Sequence, residues 1–152
     1  AELLETLVAD IYGPGNLVRS GHLPAAAVAG SDDFLRPMVG IEPRGGHHLR
    51  VYAVDLGRGP DGRWWVLSDR TQAPSGMGYV LENRIALSRS LPDIYRDMNV
   101  RRVAAFFQAL RDTLTSLHGR EGARVCLLTP GPLNETYFEH AYLSRYLGFL
   151  LV

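Results

Sequence analysis

The sequence predicts a mixed α/β (α+β) fold: a β-hairpin, a set of helices and a C-terminal βαβ unit. Three observations carry that prediction. Two runs rich in β-branched and aromatic residues, 47–56 and 64–67, flank the turn Gly59-Pro60-Asp61-Gly62, which is how a hairpin reads in sequence. Val103, Phe107, Leu110, Leu114 and Leu117 recur at helical spacing, the apolar stripe of an amphipathic helix. Two short apolar runs, 124–129 and 149–152, bracket a helical stretch, implying parallel strands joined by a right-handed crossover.

The remaining elements follow in order. Leu3, Leu4, Leu7, Val8 and Ile11 lie at helical spacing, and Gly13-Pro14-Gly15 ends that helix. Glycine and proline punctuate residues 16–46, with Ala25–Ala29 a short apolar segment and Ser31 or Asp32 placed to cap a turn through Phe34 and Leu35. After the hairpin, a loop over 72–78 leads into a helix over about 79–90, and Leu91-Pro92 breaks it. Pro92 fits the first turn of a further helix. The amphipathic helix ends near His118-Gly119, and Pro130-Gly131-Pro132 turns the chain after the strand at 124–129. Asn134 reads as an N-cap with Glu135 in the first turn of a helix that stops at Gly148.

The 152 residues, 46% of them apolar, are enough for one domain with a core, so residues 1–152 read as a single domain. Sixteen acidic residues balance sixteen basic ones. That balance, with arginines spread along the chain, gives no stripe for nucleic acid and no attraction to an anionic membrane. No apolar stretch approaches the ~20 residues that span a bilayer, and no signal peptide opens the chain; the expectation is a cytoplasmic protein. Every basic residue is arginine. No Schiff-base or phosphate-binding lysine can therefore come from these residues. The single cysteine, Cys126, reads as part of the apolar core, and it excludes an internal disulfide. The start at Ala1 and the apolar close over 147–152 read as a fragment of a longer chain.

Three groups of residues could carry chemistry. Asp55 and Asp69 sit near the ends of adjacent hairpin strands, where two carboxylates can hold Mg²⁺ through oxygen ligands. On spacing alone, turn-capping or an ion pair is the commoner reading of an Asp at a strand end, and Arg58, Arg63 or Arg70 could neutralise either carboxylate. Ser75-Gly76-Met77-Gly78 leads into a helix whose first N–H groups favour an anion; as a plain turn it needs no ligand. Asn83 and Arg84 follow in the same helix, beside Glu82. His47 and His48 alternate faces if they lie on a strand, and His22, His118 and His140 are scattered, so no zinc site is expected. Asn134, Glu135 and His140 surround the last helix as a cap and a surface histidine.

Two stretches carry a family resemblance. One runs from Tyr52 through Asp55, Trp64-Trp65, Ser68-Asp69-Arg70 and Pro74-Ser75-Gly76 to Arg84. The other runs from Leu128 through Pro130-Gly131-Pro132, Asn134 and Glu139-His140 to Val152. Both resemble the circularly permuted ATP-grasp family, related to glutathionylspermidine synthase, and the helical segment between them fits the same pattern. The resemblance implies a partial ATP-grasp-like architecture. It also implies ATP- and Mg²⁺-dependent coupling of a carboxylate to an amine through an acyl-phosphate.

On that resemblance Asp55 and Asp69 are the metal candidates, and Arg70, Ser75, Gly76, Gly78, Asn83 and Arg84 the nucleotide or substrate candidates. The partners expected are the remainder of a parent chain and a small-molecule or peptide substrate. The sequence also departs from the family. Many relatives read Glu-Asp-Asn where Ser68-Asp69-Arg70 stand here, which replaces a carboxylate and an amide by a hydroxyl and a guanidinium. Ala53 stands where the related synthase has an arginine. The lysines that ATP-grasp enzymes place over the nucleotide are missing. The expectation is therefore either part of a ligase, inactive alone, or a non-catalytic module that binds a ligand or partner.

Overall fold

The computed structural model describes residues 1–120 and 122–152. It has the mixed α/β composition the sequence predicts, arranged as two compact units, Ala1–Pro74 and Ser75–Val152.

The first unit holds α1 (Glu2–Tyr12), two short helices α2 (Asn16–Arg19) and α3 (Ala25–Ala29), and an antiparallel pair, β1 (Ala53–Arg58) and β2 (Trp64–Arg70). Carboxylates substitute for a large core in organising it. Asp10, near the end of α1, accepts the N–H groups of Asn16 and Leu17, each at 2.9 Å, and so satisfies the first donors of α2. Glu5 accepts the N–H groups of His48 and Leu49, each at 2.8 Å. The first of these bonds is the largest of the effects that hold its pKa below the usual carboxylate range.

That second contact shortens the predicted strand. Residues 47–52 stay outside the ladder because His48 and Leu49 spend their donors on Glu5. His47 and His48 therefore do not alternate across a strand; both ring Nδ1 atoms lie within 4.0 Å of Glu5 Oε1. The return strand runs on to Arg70, beyond the predicted 64–67.

The hairpin turn closes through Gly59 N–H to the Arg63 carbonyl at 2.8 Å, with Gly62 at φ +79°. From the turn, Arg58, Gly57 and Leu56 face Trp64, Trp65 and Val66. A bulge then leaves Leu67 unpaired, so Asp55, Val54 and Ala53 face Ser68, Asp69 and Arg70.

The second unit holds α4 (Met77–Ser90), α5 (Pro92–Asp97), α6 (Ala104–Ser116), β3 (Cys126–Leu127), α7 (Tyr137–Leu147) and β4 (Leu150–Leu151). Leu81, Phe107, Leu143 and Leu147 form its buried core, with Val103, Leu110, Leu127 and Phe149 packed against them. The predicted stripe of α6 thus supplies Val103, Phe107 and Leu110 to that core. The βαβ unit is present. β3 and β4 pair in parallel, and two further bonds extend the pairing past the two-residue strands: Leu150 N–H donates to the Val125 carbonyl at 2.9 Å, and Thr129 N–H donates to the Val152 carbonyl at 2.8 Å. Cys126 is exposed, contrary to expectation, because Leu127 rather than its neighbour turns to the core.

The last helix starts later than Asn134 predicts. The Asn134 side chain accepts the Thr136 N–H at 2.9 Å in a local turn, which moves the helix start to Tyr137. Among the described residues no helix is long and apolar enough to cross a membrane.

Candidate functional site

The register of the hairpin decides what its carboxylates can do. Side chains alternate along a strand, so Asp55 shares a face with Ser68, opposite it, and with Arg70, opposite Ala53. Asp69, opposite Val54, lies on the other face. The contacts agree with the register. Arg70 Nε and Nη2 each lie 3.0 Å from Asp55 Oδ2, and the Ser68 hydroxyl donates to the same oxygen. The Ser68 hydrogen bond, followed by Arg70, holds the Asp55 pKa below the usual carboxylate range. On the far face Tyr52 donates its hydroxyl to Asp69 at 2.6 Å. That carboxylate raises the pKa of the phenol.

The structure therefore separates Asp55 and Asp69 instead of bringing them together as a metal pair. The Asp55 face offers one carboxylate, one hydroxyl and one guanidinium. This set does not fit Mg²⁺, which takes several oxygen ligands in an octahedron. Among the described residues no three or more His, Cys, Asp or Glu side chains cluster to hold a metal.

At the start of α4, two glycine N–H groups already have an acceptor within the protein. Gly76 donates its N–H to both oxygens of Glu139, at 3.0 and 2.7 Å, and Gly78 donates to one at 3.2 Å. Glu139, on α7, is only 2% exposed. The anion that the Gly76–Gly78 amides favour is thus this side chain. Gly76 adopts φ +107°, a conformation that suits glycine. Gly78 is required for a different reason, since a Cβ there would lie 2.6 Å from Glu139 Cβ.

Ser75 is exposed beside this loop. Asn83 and Arg84 lie further along α4 and do not join it. With Leu87, Leu91, Ile94 and Met98 they line a largely apolar groove of about 440 Å³ between α4 and α5. His140 is half-buried, its Nδ1 3.0 Å from Thr129 Oγ1, and is not the surface histidine expected. Glu139 is the residue that sequence reasoning missed. The sequence places it between Phe138 and His140 inside the second family stretch, which gives it no role.

Comparison with known proteins now gives these features a context. The family model for circularly permuted ATP-grasp type 2 matches residues 1–152. The chain is 38% identical over 151 residues to an uncharacterised protein of Synechocystis sp., covering 98% of this chain and 31% of that protein. It is 38% identical over 154 residues to an uncharacterised protein of Mycobacterium tuberculosis, covering all of this chain and 17% of that one. A Mycobacterium leprae protein, also uncharacterised, is 36% identical over 153 residues, with 98% and 27% covered. The chain thus spans less than a third of the length of these curated relatives. The match of the family model across residues 1–152 places the chain in the circularly permuted ATP-grasp type 2 family.

Proposed function

We propose that this chain works as part of a longer ATP-dependent ligase that joins a carboxylate to an amine, and that it does not turn over alone. The observation that carries this reading is the family match over residues 1–152. In the reaction class proposed, the substrate carboxylate attacks the terminal phosphorus of ATP. ADP leaves and an acyl-phosphate forms. The amine then attacks the acyl carbon, phosphate departs, and an amide results. The substrate would be a small molecule or a peptide.

These residues would supply shape and hydrogen bonding to that chemistry; Arg70 in the first unit and Ser75 in the second are exposed. They supply no lysine to the nucleotide, and no step is assigned to Mg²⁺ on the hairpin because its donor set does not fit the ion. Both would come from the rest of the longer chain.

A second reading has one specific observation in its favour. The Arg70–Asp55 ion pair, at 3.0 Å, neutralises the carboxylate that a ligase would present. On this reading the module binds a ligand or a partner domain without catalysis.

A thermal-shift titration of the full-length protein with ATP, Mg²⁺ and both together separates the two. Ligand at 100 times its Kd stabilises the native state by about 2.7 kcal/mol. Nucleotide-dependent stabilisation, with ADP and phosphate released only when carboxylate and amine are both supplied, supports the ligase. No shift with any nucleotide overturns it and leaves the binding module.

A further inference from the structure

We infer that Arg70 is the resident cation of the hairpin: its guanidinium stands on Asp55 where the family resemblance calls for a divalent metal ion, so Asp55 and Asp69 hold no such ion in this protein. The inference rests on the ATP-grasp reading of the hairpin, and the geometry of the Asp55 face carries it.

The three side chains that the register gathers there are Asp55, Ser68 and Arg70. On the resemblance, they are also the positions at which many relatives would place an acid, a second acid and an amide. Two of the three have changed, and the change is complementary. Removal of one carboxylate and gain of a guanidinium leave the face with balanced charge and no need of a metal. The guanidinium engages through two nitrogens and the serine adds a third donor to the same carboxylate oxygen. An arginine is charged at any accessible pH and carries no acceptor. It can therefore neutralise Asp55 permanently, but it cannot exchange water or gather further oxygen ligands as a metal does. Asp69 cannot complete a site, since it faces away and is engaged by Tyr52.

The test is a Mn²⁺ titration of the full-length protein, with free Mn²⁺ counted by electron paramagnetic resonance. Wild type and Asp55→Asn are expected to bind the same number of ions, because Asp55 holds none. The double variant Ser68→Glu/Arg70→Asn is expected to bind one more ion than wild type. Adding Asp55→Asn to that double variant is expected to abolish the gain.

Loss of one ion from wild type on Asp55→Asn overturns the inference. A folded double variant that gains no ion overturns it too, since Arg70 then does not stand in a metal position. If the double variant does not fold, the wild-type and Asp55→Asn comparison still decides. Nucleotide binding is read separately by thermal shift, so failure of the ligase reading leaves the Mn²⁺ count intact and distinguishable.

Discussion

Glu139 and Gly76 lie 63 positions apart in sequence, yet the Glu139 carboxylate sits 2.7 Å from the Gly76 amide nitrogen. The contact joins the start of α4 to α7 through a buried, charge-assisted hydrogen bond. It also means that two of the N–H groups at this helix start, those of Gly76 and Gly78, already have an anionic acceptor. Glu139→Gln tests this. The amide keeps the shape but puts an NH₂ group against a backbone donor and removes the charge. Hydrogen bonds to charged groups contribute about 1.5–3 kcal/mol. A loss of that order in urea denaturation is expected, with a larger loss for Glu139→Ala.

Gly78→Ala should be costly for a related reason. The added methyl would lie 2.6 Å from Glu139 Cβ and 2.9 Å from its Cα, and backbone cannot move aside as a side-chain tip can. Overpacking of this kind costs about 1–3 kcal/mol. Gly57→Ala is the control. The nearest atoms to its added Cβ belong to the Leu67 side chain, at 3.1 Å, and Leu67 is 69% exposed. Thermal denaturation should show a clear drop for Gly78→Ala and a small change for Gly57→Ala.

The core of the second unit rests on few residues. Phe107 is 2% exposed, packs with Leu81, Leu143 and Leu147, and meets the Tyr146 ring edge-on at 5.4 Å between centroids. Truncating a buried Phe to Ala typically costs about 3–5 kcal/mol through lost transfer energy and the cavity left behind. Phe107→Ala should lower the urea midpoint accordingly. Phe106→Ala, one position along on a residue 49% exposed, should cost far less.

These outcomes divide what was legible in the sequence from what was not. The α6 stripe, the Gly13 and Gly148 stops and the hairpin turn were readable because each depends on residues within a few positions. The candidate site was not, and the bulge shows why. The pairing nearest the turn sets Leu56 against Val66. Continued without interruption, it would set Asp69 against Ala53, on the same face as Asp55. One unpaired residue, Leu67, shifts the register. It sends Asp69 to the far face and brings Ser68 and Arg70 to Asp55. The identity of Leu67 gives no hint of this. The occupant of the α4 start was hidden differently, since backbone donors carry no sequence signal for an acceptor 61 to 63 residues away.

The two faces of the hairpin should titrate at opposite ends of the pH scale. Asp55 has a folded-state pKa below its unfolded value, chiefly through Ser68 and then Arg70. Between those two values the unfolded chain binds more protons than the folded one, so stability rises with pH across that window. The contribution is complete above the ordinary carboxylate value of about 4 and is lost as pH falls through the depressed one. Tyr52 is the reverse case. Its folded pKa is raised, first by the hydrogen bond to Asp69. Its contribution is complete below the unfolded phenol value of about 10 and is lost as pH rises through the folded one. Urea midpoints measured across both ranges check this. Asp55→Asn should flatten the acid limb and leave the alkaline limb alone, while Tyr52→Phe should do the opposite. An Asp55→Asn variant that altered the alkaline limb would mean that the two carboxylates share one environment, against the register that separates them.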